Sequence, residues 1–201
     1  MFSEYEKVFV LSMGNHLQSC MEDVNRLRKL VKNNDKVSFV AAFNCNPQRE
    51  LEKFIKNNIF SENDLLIVHY SGHGKLVGRT INGKMEMIST WISNDMKTYN
   101  YSNDIDTILS NLPCKILLLS DSCHSGRFGD FFTGYDLIFV GSSPITNQSK
   151  EYSFDNRNKS GILIHILENI NFNKLNFSLI QEFCKKHKIK VFPVLKHIYL
   201  C

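Results

Sequence analysis

No apolar run in this sequence reaches the eighteen or so residues that a membrane helix needs. The first residues, Met1-Phe2-Ser3-Glu4-Tyr5-Glu6, lack the charged stretch and the apolar stretch of a signal peptide. No CxxC pair occurs among the six scattered cysteines, Cys20, Cys45, Cys114, Cys123, Cys184 and Cys201. A reduced, cytoplasmic protein without a membrane partner is therefore expected. There is no basic block either. Lys plus Arg is 24 and Asp plus Glu is 20, and the net charge of +4 is too mild to point to nucleic acid. No internal repeat and no linker rich in Pro, Gly or Ser divides the chain. A single domain over residues 1–201 is the simplest reading. With 43% hydrophobic and 22% charged residues the chain can bury a core, which argues against disorder.

Strand-like and helix-like segments alternate along the chain. Lys7 to Met13, Lys36 to Phe43, Asp64 to Tyr70, Lys115 to Ser120 and Asp136 to Val140 are short apolar runs of strand length. The third and fourth are apolar on both faces, as central buried strands are. Between the first two, Leu17, Cys20, Met21, Val24, Leu27 and Val31 recur at helical spacing. Asn46-Pro47 reads as an N-cap followed by proline at the first helical position. Ile105, Ile108, Leu109 and Leu112 form another helical stripe, and Ser160–Ile170 and Asn176–His187 are expected to be helical. Residues 74–100 read as a hairpin and loop excursion. Lys190 to Leu195 reads as a last strand, which Pro193 would confine to an edge. The alternation predicts an α/β fold, a mostly parallel sheet with helices on both faces.

In such sheets the site lies beyond the carboxyl ends of the strands. Two polar, glycine-flanked turns belong there: His69-Tyr70-Ser71-Gly72-His73-Gly74 and Asp121-Ser122-Cys123-His124-Ser125-Gly126. A thiolate can attack a carbonyl while an imidazole handles protons. His73 and Cys123 are therefore the candidate dyad. The amide N–H groups of Gly74 and Cys123 are the candidate oxyanion hole. A lone cysteine after a strand is usually a small buried hydrophobe. Two reactive residues in two such turns are what shift the balance toward chemistry.

Other chemistries fit less well. A zinc site from His69, His73, Cys123 and His124 fails on distance, because four residues of extended chain span about 13 Å. A phosphatase loop would need an arginine six residues after the cysteine, and position 129 is Gly. The glycine turns also lack the Gly-Lys-Ser/Thr ending of a phosphate-binding loop.

Taken together, His-Tyr-Ser-Gly-His-Gly and, 50 residues later, Asp-Ser-Cys-His-Ser-Gly resemble the metacaspases, caspase-like cysteine peptidases. Weaker likenesses extend over most of the chain. Cys20-Met21-Glu22-Asp23-Val24 resembles the family's GCxNDV segment, with Ser19 for its glycine and Glu22 for its asparagine. Gln148-Ser149-Lys150-Glu151 resembles its QTSAD stretch, Ser160-Gly161-Ile162-Leu163 its Gly-Ala helix start, and Phe192-Pro193-Val194-Leu195 its final strand.

The resemblance implies a caspase-like three-layer sandwich and an endopeptidase that cleaves after Arg or Lys. The acidic P1 pocket maps onto Asp23, Ser71 and Asp121, with Ser142 and Ser143 expected along the substrate channel. Two carboxylates and a hydroxyl suit a guanidinium or ammonium, whereas a pocket for aspartate would need arginines. His124 is expected to be structural. The alternative is a catalytically silent caspase-like domain that binds protein partners, which an intact His73 and Cys123 disfavour. Many metacaspases need calcium. Here no acid follows His73 before Glu86, and only Asp95 and Asp130 could contribute. Weak or absent calcium dependence is expected, with no metal ligands assigned and no cofactor. The chain looks like a short form without prodomain, expected to be monomeric. Any self-cleavage would use Lys75, Arg79, Lys84 or Arg127.

Overall fold

The computed structural model describes residues 4–132, 135–143, 152–153 and 159–169. Five strands form one parallel sheet: β1 (Val8–Gly14), β2 (Val37–Phe43), β3 (Leu65–Ser71), β7 (Lys115–Asp121) and β8 (Leu137–Gly141). Their order is β2-β1-β3-β7-β8. From β1 the chain steps outward to β2, then returns past β1 to β3 and continues the other way. The order thus reverses between β1 and β3, and the crevice at such a reversal is where open α/β sheets bind ligands.

Helices cover both faces, which is why the central strands are apolar throughout. One face packs Val8, Val10, Ile67, Leu117 and Leu119 against Leu27 and Val31 of α1 (Gln18–Val31) and Leu163, Ile164, Ile166 and Leu167 of α4 (Ile162–Asn169). The other packs Leu66, Val68, Ile116 and Leu118 against Leu51 and Phe54 of α2 (Pro47–Lys56) and Ile105 and Leu109 of α3 (Ser102–Leu109). The start of α2 is fixed as its sequence suggests. Pro47 occupies the first turn and the Asn46 side chain accepts from Arg49 N at 3.1 Å. Arg26 of α1 ties α4 down through Glu168, donating from Nε to Oε1 at 2.7 Å. The expected segments at 176–187 and 190–195 lie outside the described residues.

The excursion after β3 is more ordered than a hairpin and loop. β4 (Gly74–Ile81), β5 (Lys84–Ile92) and β6 (Tyr99–Tyr101) make a second, antiparallel sheet. The hairpin closes through Asn82 and Gly83, at φ 49° and 77°, the left-handed pair that suits a two-residue turn. Trp91 docks this sheet on the main one. Its ring stacks between Tyr70 (4.7 Å) and Phe128 (4.5 Å), and its indole N–H donates to Ser120 Oγ at 2.9 Å. The third strand escaped the sequence reading because Tyr99-Asn100-Tyr101 is too short to show a period.

Candidate active site

Strand register assembles the site. Gly14 pairs with Ser71, and Ser71 with Asp121, so β1, β3 and β7 end level with one another. The turns that follow must form one rim. Asn15 N donates to Ser71 O at 3.0 Å and Gly72 N to Asp121 O at 3.2 Å, which locks the three ends together. His73 and Cys123, 50 positions apart in sequence, both line a cavity of about 290 Å³ at this rim. Leu17, Ser19, Cys20, Asp23, Ser71 and Asp121 line it with them.

Two of these are buried acids. Asp23 is 1% exposed and Asp121 5%, a degree of burial that carboxylates reach only with partners. Asp23 sits on the apolar stripe of α1, four residues before Leu27, so the helix turns it inward. Its Oδ2 accepts from Ser71 Oγ at 2.8 Å, and both its oxygens lie 3.1 Å from Gly161 N. Asp121 Oδ2 accepts from Leu163 N at 3.0 Å. The start of α4 therefore aims backbone donors at both carboxylates, where helix polarity also favours negative charge. Ser71 has spent its hydrogen on Asp23, so toward a ligand it can only accept. A side chain at Gly161 would have no room. A Cβ there would overlap Asp121 Oδ2 and come within 2.8 Å of Asp23 Oδ2.

Burial, with Asp23 and Asp121 near it, pushes the Cys20 thiol up to about 11. It is therefore a neutral wall group, in contrast to a nucleophile. His69, one step down β3 from the rim, is fully buried. Its Nδ1 lies 2.8 Å from Ser12 Oγ, and burial pushes its pKa down to about 3. It belongs to the core, as its position inside the strand implied.

The cysteine turn is braced from β8. Ser143 Oγ donates to Ser122 O at 2.9 Å, Ser143 N to Ser125 Oγ at 3.0 Å, and Gly126 N to Ser143 O at 2.8 Å. Ser143 thus holds the turn from behind. Ser142 bonds through its backbone N to Ser120 O at 3.0 Å, and it lines neither cavity described here. A second cavity, of about 420 Å³, opens across His73 and Cys123 from the first. Gly74, Lys75, Ile92, Met96, Tyr99 and His124 complete it. Gly74 starts β4 directly against the cysteine turn, since a Cβ there would overlap Cys123 O and reach Ser122 Oγ at 3.0 Å. The Tyr70 hydroxyl lies 2.9 Å from His73 O and 3.0 Å from Ile92 O, sharing its hydrogen between them.

The thiol of Cys123 and the imidazole of His73 thus share one cavity with two buried carboxylates. The metacaspase, peptidase C14 domain family matches residues 5–132, well over half of the chain. The chain belongs to the metacaspase peptidase C14 family. It is by family a cysteine-type peptidase with a caspase-like α/β fold, whose substrates are proteins. No curated protein matches closely enough to name a relative. The match to the metacaspases spans both glycine-flanked turns and Asp23, but ends before β8 and α4.

Among the described residues no group of three or more His, Cys, Asp or Glu is placed to hold a metal ion. Asp95 accepts from Thr98 Oγ1, Thr98 N and Lys97 N, and these bonds hold its carboxyl down at about 2. Asp130 pairs with Arg127 at 3.5 Å. Among the described residues no helix is long and apolar enough to cross a membrane.

Four participants were not read from the sequence as site residues. Cys20 lines the acidic cavity, Gly161 and Leu163 hold its carboxylates, and His16 touches His73. The Ser160-Gly161-Ile162-Leu163 segment carried a signal, since it opens a helix with a glycine. Its target could not be seen, because 138 positions separate Gly161 from Asp23.

Proposed function

We propose that this metacaspase domain cleaves peptide bonds after Arg or Lys, with Cys123 as nucleophile and His73 as proton carrier. The supporting observation is the pair of buried carboxylates, Asp23 and Asp121, in the cavity that His73 and Cys123 also line. A P1 guanidinium or ammonium brings the charge and donors that these oxygens lack, and a P1 carboxylate would be repelled. Ser71, acting as acceptor, adds one further partner for a cationic head.

The reaction is acyl transfer. The Cys123 thiol passes its proton to His73 as its sulfur forms a bond to the scissile carbonyl carbon, and the carbonyl electrons move onto its oxygen. The N–H groups of Gly74 and Cys123 stabilise that oxygen. As the carbonyl reforms, the C–N bond breaks and His73 gives its proton to the departing amine. Water then attacks the thioester while His73 takes its proton. The C–S bond breaks, releasing the acid product and returning the proton to sulfur. The substrate chain beyond P1 runs over the second cavity.

Hydrolysis of fluorogenic peptides with P1 Arg, Lys, Leu or Asp, by wild type and Cys123→Ala, tests this. The expected result is turnover of the Arg and Lys peptides alone, abolished in the variant. Preference for P1 Asp or Leu would refute the acidic-pocket assignment. Silence on every peptide from folded protein would favour a domain that only binds partners.

A further inference from the structure

Asn15 and His16 connect β1 to α1, and both are fixed from several directions. The Asn15 side chain donates to Cys45 O (2.9 Å) and Ile92 O (3.2 Å) and accepts from Cys45 N (2.8 Å). His16 N donates to Asn44 Oδ1 at 3.2 Å. His16 Nε2 lies 2.9 Å from Ser93 O. A carbonyl oxygen only accepts, so Nε2 carries the hydrogen. The turn is thus tied to the ends of β2 and β5, the same β5 whose Ile92 N donates to His73 O at 3.1 Å. Anchored this way, the His16 ring faces the His73 ring at a centroid distance of 5.0 Å and an interplanar angle of 37°.

Two features of His16 oppose stability. Its backbone is left-handed, at φ 71°, and its Nδ1 is buried with no hydrogen-bond partner among the described residues. Such costs persist where surrounding structure imposes them, and they gather at functional sites. The contact that accompanies them is the one with His73.

We propose that His16 is a positioning residue for His73. Its ring backs the His73 imidazole and holds it in the orientation that serves the Cys123 sulfur. His16 itself touches neither substrate nor the reacting atoms. The inference rests on the reading of His73 as proton carrier and deepens it by naming what fixes that ring. A small error in the placement of a proton carrier is enough to slow the chemical step about a hundredfold.

Two substitutions separate ring from backbone. His16→Asn removes the ring while suiting a left-handed backbone. His16→Phe keeps a ring against His73, loses the bond to Ser93 and strains the left-handed backbone more than His does. On a P1 Arg peptide, His16→Asn is expected to lower kcat about tenfold or more with KM within about twofold. His16→Phe is expected to recover to within about threefold of wild type. Alkylation of Cys123 by iodoacetamide, which needs no substrate, should slow in His16→Asn in step with kcat. Wild-type kcat in His16→Asn, a rise in KM alone, or a folded His16→Phe as slow as His16→Asn would each overturn the proposal. If His16→Phe does not fold, the kcat and alkylation rates of His16→Asn decide. His73→Ala belongs in the same panel. If it retains activity, the proton-carrier reading fails. If it is inactive while His16→Asn is normal, only the positioning role fails.

Discussion

The two cavities that meet at His73 and Cys123 are built on different principles. The acidic one is walled by strand ends locked in register and by the first turn of α4. Each of its carboxylates is buried and already accepts backbone N–H donors. The other lies against the smaller sheet and is lined by exposed Lys75 and Met96, with the Lys75 ammonium 5.7 Å from the Tyr99 ring centroid. A wall whose donors are backbone groups cannot shift to suit a ligand. A wall of long exposed side chains can. On the proposed function, selectivity belongs on the acidic side, and tolerance on the other.

The sharpest way to break that contrast is to neutralise the rigid wall. Asp121→Asn should cut kcat/KM for a P1 Arg peptide about a hundredfold or more, since unpairing a buried charge is far costlier than losing an exposed one. Rates measured on Arg and Leu peptides side by side should show the loss confined to Arg. Filling the wall is the next test. Gly161→Ala puts a methyl against both carboxylates, and KM for the Arg peptide should rise about tenfold as they are displaced. A third test reaches the layer beneath. His69 is held neutral by burial, which pushes its pKa down to about 3 from the 6.5 of a solvated imidazole. Between those values the unfolded chain binds the extra proton, so stability is complete above about pH 6.5 and falls as pH drops. The expected slope is about 1.4 kcal/mol per pH unit, read by urea unfolding and absent in His69→Gln. The smallest effect belongs to the adaptable wall. Lys75→Ala should change kcat/KM by less than about threefold, since exposed charges are well screened.

Much of the fold was legible because apolar runs and apolar stripes differ in period. All five strands of the main sheet fall within a residue or two of the expected runs, and α2 begins at the Asn46-Pro47 signal. The two glycine-flanked turns were legible because few folds need His and Cys at strand ends. Asp23 was half legible. Only the family resemblance singled it out, since by itself it reads as a solvated helix position, and nothing local says that it is buried or which strand end it meets. Ser143 as a brace for the cysteine turn, and Ser142 outside both cavities, depend on how β8 ends beside β7, which residue identity does not encode.

The sequence by itself determined the elements, the apolar faces and the two glycine-flanked turns that carry His73 and Cys123, because each is a property of a short stretch of chain. Tertiary structure alone decided what surrounds those side chains. It brought α4 backbone donors to Asp23 and Asp121 and set the His16 ring against His73. Backbone N–H groups are the same at every residue, and a ring contact across 57 positions leaves no periodic trace. Only the packing of α4 against α1, and the level ends of β1, β3 and β7, could place them.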